Sequence, residues 1–128
     1  MQLDVASYSN IGGREENEDT TLCKQSEDFL LAAVADGLGG HGGGKTASTR
    51  AIQSLEEQEP LIQNMNEESL REACAKANHA VLDAQTTQVR MKTTLALAAV
   101  SNSALALLHV GDSRAYLIRP GELEYQSQ

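Results

Sequence analysis

Three apolar runs near the end of the chain, "TTLALAAV" (93–100), "ALALLHV" (104–110) and "AYLI" (115–118), are separated only by "SNS" and "GDSR". Gaps this short close hairpins. They cannot carry a parallel crossover, which needs about a dozen residues or more. These segments therefore predict an antiparallel meander, and "PGE" (120–122) predicts one more turn into "LEY".

Upstream the rhythm changes. "LDVASY" (3–8) alternates as a strand does, and the polar, Gly-rich "SNIGGREENEDT" (9–20) reads as a loop leading into a short strand near Thr20–Cys23. "FLLAAVA" (29–35) is continuously apolar, which suits a strand covered on both faces. A helix is expected from Lys45 to about Glu57, with Ala47, Ala51 and Leu55 on one side and Pro60 marking the break after it. Asn66 is placed to cap a second helix, with Glu67 and Glu68 in its favourable first turn. The buried stripe of that helix is Leu70, Ala73, Cys74, Ala77 and Val81, which makes Cys74 a small core residue.

A chain of 128 residues suits one domain over 1–128. It has three tyrosines, one phenylalanine and no tryptophan, so its core must come from Leu, Ala, Val and Ile. A net charge of -8 argues against nucleic acid or an anionic membrane as partner. The N-terminal "MQLDVASYSN" lacks the basic start and apolar centre of a signal peptide, and no apolar run reaches the length of a membrane span. Two cysteines without C-x-x-C spacing make a disulfide framework unexpected and a reducing cytoplasm the expected location.

Between the apolar strand and the first helix lies "DGLGGHGGGKTAS". From Gly39 to Thr46 it fits the phosphate-binding pattern G-x-x-x-x-G-K-[ST], in which backbone amides and the Lys hold a nucleotide. That loop belongs to a parallel sheet of β-α-β units, which the short downstream gaps disfavour. A metal reading draws on more of the chain. Four polar clusters stand at strand ends or in turns: Arg14 with Asn17, Glu18 and Asp19; Asp36–Gly37; Thr93–Thr94; and Gly111–Asp112–Ser113. A hard cation such as Mg²⁺ or Mn²⁺ wants carboxylate and carbonyl oxygens. Asp36 can offer the first and Gly37, lacking a side chain, the second.

"GGREENEDT", "VADGLGGHGGGKTAS", "MKTTLALAAV" and "VGDSRAYLI" resemble, in order and spacing, successive motifs of the metal-dependent Ser/Thr protein phosphatases, the type 2C class, and its bacterial members above all. The resemblance spans residues 9 to 118. It implies an α+β fold, an antiparallel β-sandwich flanked by helices in an α-β-β-α arrangement, incomplete here at the C-terminal end. It implies hydrolysis of phosphoserine or phosphothreonine in phosphorylated proteins by a water activated by two Mn²⁺ or Mg²⁺ ions. Arg14 matches the arginine that grips the substrate phosphate, and Asp36 the aspartate that bridges the metals. Gly37 matches the glycine whose carbonyl binds one ion, Glu18 and Asp19 match acids of the metal sphere, and Asp112 matches the acid that helps hold a third ion. Ser113 and Arg114 are expected to organise the turn beside it. The family's second half adds two further aspartates. The alternative is therefore a non-catalytic phosphatase-like binding module, and completion by another chain or self-association is expected for a catalytic form.

Overall fold

The computed structural model describes residues 1–128. Its sheet is built outward from β2 (Phe29–Gly39). On one side β2 pairs antiparallel with β1 (Asp19–Gln25), and on the other with β4 (Leu95–Ser101), which in turn pairs with β5 (Leu105–Val110). The short β3 (Met91–Thr93) pairs with the end of β2. Gly37 faces Thr93 and Val34 faces Ala96, so β3 and β4 keep one register across Thr94.

Three helices supply the second layer: α1 (Gly43–Glu57), α2 (Glu59–Ile62) and α3 (Glu67–Asp83). Phe29, Leu31, Ala33 and Ala35 share one face of β2 because side chains alternate along a strand. They pack with Leu95, Leu97 and Ala99 of β4 and with Ile52, Leu55, Ile62, Ala73 and Ala77 of the helices. The core is thus made of Leu, Ala and Ile with one Phe, as the composition requires. Complete burial of a side chain such as Leu31, Leu55 or Leu97 contributes about 1.5–3 kcal/mol. Ala47 and Ala51 are also buried, and their small size lets α1 lie close to its neighbours.

The helix boundaries hold with small shifts, but on the expected stripe of α3 Leu70 and Cys74 are only half-buried, and Cys74 is not a core residue. The first helix begins at Gly43, and Ala47, Ala51 and Leu55 are its buried side. Pro60 sits in the first turn of α2 and begins that helix, where its missing N–H leaves no bond unmade. Asn66 caps α3 by accepting the Ser69 N–H at 2.8 Å. Asn66→Ala should therefore lower stability by about 1 kcal/mol, measurable as a shifted urea midpoint with unchanged slope.

The strand expectations need three corrections. Residues 3–8 form no strand, since none of their backbone groups pairs with a neighbour. Next, β2 is not covered on both faces along its length: helices lie on one side, and Val34 is 45% exposed on the other. Finally, the meander stops after β5. The chain leaves the sheet at "GDSR", and β6 (Tyr116–Arg119) pairs with β7 (Glu122–Gln126) in a two-stranded sheet of their own. The α+β architecture of antiparallel strands and helices is as expected, while these two exposed strands do not build a second layer on the main sheet. No helix is long and apolar enough to cross a membrane.

Candidate metal and phosphate site

The acids expected to matter gather at one end of the central strands. Asp36 stands on β2 directly across from Asp19, the first residue of β1. Opposed residues in neighbouring strands project to the same face, so the two carboxyl groups meet. Loss of solvent pushes the Asp36 carboxyl above its ordinary range. A hydrogen bond with Asp19 and the charges of Asp19 and Asp112 push the same way, while Arg14 opposes them. Asp36 is thus a carboxylate whose charge lacks compensation, the condition a bound cation relieves.

Asp112 reaches this place by another route. It follows β5 through Gly111, whose φ of +88° turns the chain. Arg14, Asp36, Gly37, Thr94 and Asp112 line one open cavity of about 430 Å³. Lys92, whose long cationic side chain could compete with a metal, lines it too. The Arg14 side chain is 74% exposed, and its Nη1 lies 4.0 Å from Glu18 Oε1.

Glu18 and Asp19 are adjacent in sequence but do different things. The Glu18 carbonyl accepts hydrogen bonds from Gly37 N–H at 3.2 Å and from the Ser48 hydroxyl at 2.6 Å. Its side chain is only 15% exposed, and its buried Oε2 has no partner. That carboxylate lies against Gly44, in the first turn of α1, where the helix dipole favours negative charge. Glu18 lines a smaller recess of about 120 Å³ that also includes Arg14, Asp19 and Asp36. It is therefore beside the main cavity rather than in it.

The start of β1 is held firmly. Asn17 Oδ1 accepts the Asp19 N–H at 3.0 Å. Lys45 Nζ donates to the Asp19 carbonyl at 2.6 Å and to Thr20 Oγ1 at 3.1 Å. This contact overturns the nucleotide-loop reading of Gly39–Thr46. The lysine that would reach a phosphate is turned back onto β1, and the sheet is antiparallel. The glycines serve close packing instead. A Cβ on Gly37 would fall 1.8 Å from the Gly44 carbonyl oxygen, so α1 crosses β2 at a distance only glycine permits.

Arg14, Asp36, Gly37 and Asp112 thus share one cavity, and Arg14 and Asp36 also border the recess that holds Glu18 and Asp19. No three Asp, Glu, His or Cys side chains converge closely enough to hold one metal ion by themselves. The donor set is nonetheless of one kind: hard oxygens, two of them on a charge-strained pair, with a glycine carbonyl next in sequence. It fits a divalent hard cation that fills its remaining positions with water or phosphate oxygens. The structural work of Gly44 and Lys45 escaped sequence reasoning, because the nucleotide pattern claimed both residues. The link from Thr94 to Asp36 was also missed, although counting register from the two strands would have exposed it.

The protein phosphatase 2C family model matches residues 7–126. The serine/threonine protein phosphatase PstP of Mycobacterium tuberculosis is 34% identical over 96% of this chain, which spans 24% of that protein. A solved structure of the Mycobacterium tuberculosis phosphatase PstP/Ppp superposes with a TM-score of 0.71 at 33% identity, covering 90% of this chain and 48% of that one. A PstP catalytic domain in complex with two manganese ions superposes with a TM-score of 0.57 at 29% identity, covering 86% of this chain and 48% of that one. The chain therefore belongs to the protein phosphatase 2C family.

Proposed function

We propose that this chain carries the phosphate-gripping and part of the metal-binding machinery of a protein serine/threonine phosphatase. The observation that carries the reading is the Asp19–Asp36 carboxyl pair sharing a cleft with Arg14. Asp36, Asp19, Asp112 and the Gly37 carbonyl would hold Mn²⁺ or Mg²⁺; Glu18 adjoins them through Arg14. A divalent cation so held supplies Lewis acidity and makes water a stronger acid. Arg14 binds two oxygens of the phosphoryl group through paired N–H donors and orients it. Its exposure leaves the guanidinium free to meet a phosphoserine or phosphothreonine on a protein surface. Lys45 and Asn17 fix the β1 backbone, so Asp19 meets Asp36 without a further ordering cost.

The test is hydrolysis of a phosphothreonine peptide by this chain with Mn²⁺, and its loss in EDTA. Arg14→Ala should raise KM about 10- to 100-fold, as expected for losing charge-assisted hydrogen bonds. One observation favours the second reading, a phosphoprotein-binding module without catalysis: no three ligating side chains converge. Mn²⁺-dependent peptide binding without turnover, in a folded sample, would decide for that module.

A further inference from the structure

Asp36 and Asp112 come from segments far apart in sequence, and one side chain joins them. Thr94 lies directly opposite Asp36 in the continuous register of β3 and β4. Its N–H donates to the Asp36 carbonyl at 2.9 Å, a normal rung of the ladder. The reciprocal rung is altered. The Asp36 N–H donates to Thr94 Oγ1 at 3.1 Å, and the Thr94 carbonyl accepts the Thr93 hydroxyl at 2.9 Å. Thr94 Oγ1 is also hydrogen-bonded to Ser113 Oγ, the residue after Asp112. The methyl group of Thr94 lies under Gly111, where a Cβ would fall 3.0 Å from it.

We propose that Thr94 is a positioning residue that registers the Asp112 turn against Asp36 through its hydroxyl to Ser113. The proposal rests on the metal reading above for its functional consequence, but not for the link itself. Serine at position 94 keeps the hydroxyl and drops the methyl. Valine keeps the shape and drops the hydroxyl, which frees Ser113 and leaves the Asp36 N–H without its acceptor. The hydroxyl carries the connection, so the two replacements should differ.

The experiment compares the intact chain with Thr94→Val, Thr94→Ser, Ser113→Ala and the Thr94→Val/Ser113→Ala double variant. Mn²⁺ affinity is read from the paramagnetic resonance of free Mn²⁺. Amide exchange at Asp112 and Ser113 is read without metal. Thr94→Val should weaken Mn²⁺ binding about 10-fold, the usual effect of losing a partner that orients a ligand. It should also speed exchange in the turn. Thr94→Ser should stay near the parent in both readouts. Ser113→Ala should speed exchange in the turn as Thr94→Val does but weaken Mn²⁺ binding less, because the Asp36 N–H keeps its acceptor, and the double variant should be no worse than Thr94→Val alone, because the Thr94–Ser113 bond is already gone. A lower metal-free melting midpoint with unchanged Mn²⁺ affinity and unchanged turn exchange would reduce Thr94 to a packing residue and overturn the proposal. If the parent chain binds no Mn²⁺, the metal reading fails, and the exchange comparison alone decides whether Thr94 holds the turn.

Discussion

Gly37→Ala should be among the most damaging single changes in the chain, costing at least about 3 kcal/mol, the upper end of ordinary overpacking. The added Cβ would meet the Gly44 carbonyl oxygen at 1.8 Å and the Gly44 carbonyl carbon at 2.4 Å. Both are backbone atoms at the start of α1, so relief requires moving the helix off the sheet. Moving it would also disturb the bonds from Ser48 to the Glu18 carbonyl and from Lys45 to the Asp19 carbonyl. Urea unfolding gives the number. Gly40→Ala is the internal comparison: a Cβ there meets nothing within 4 Å, and stability should hardly change. Gly44→Ala is intermediate. Its Cβ would strike the Glu18 carboxylate, the end of a side chain that can swing aside.

Asp36→Asn should separate folding from metal binding. The Asp36 carboxyl is shifted above its ordinary value of 3.8, so the folded chain favours its protonated form. The sign follows from linkage. The associated stability is complete below the ordinary value and is lost as pH rises through the shifted one. Above that window the metal-free parent carries an ionised carboxylate it holds poorly, and asparagine carries none. Asp36→Asn without metal should then melt above the parent at neutral pH, and below pH 3.8 the difference should vanish. Added Mn²⁺ should raise the melting point of the parent by mass action and leave that of the variant unmoved. Mn²⁺ affinity should fall by more than about 100-fold, beyond the usual effect of losing a mere partner of a ligand. A variant that melts below the parent without metal and still binds Mn²⁺ would show that Asp36 serves packing rather than the ion.

Local structure was legible in the sequence where one rule decided it. Asn66 ahead of two glutamates gave a helix start, and the stripe through Ala73, Ala77 and Val81 gave its buried side. The short gap after Ser101 gave the β4–β5 hairpin. Reading failed where a partner decides. Residues 3–8 alternate like a strand, yet alternation alone does not bring their backbone into pairing with a neighbour. "GDSR" is as short as a hairpin loop, but the positive φ of Gly111 and the Ser113–Thr94 bond send the chain elsewhere. The acids of the cleft stand in legible motifs, and register explains why Asp19 meets Asp36. Glu18 was less legible. Its neighbour points toward the cleft, and alternation turns Glu18 itself toward Gly44 and α1. Lys45 fits the spacing of a phosphate loop, but a spacing rule does not say which way a side chain points.

The alternation of β2 has a consequence for how such a chain can change over generations. Odd-numbered positions from Phe29 to Gly37 face the helices, and Val34, Asp36 and Leu38 face away from them. Adjacent codons therefore answer to different demands. Selection for thermal robustness would act on one parity of the strand and selection for chemistry on the other, so improvement in either need not erode its neighbour.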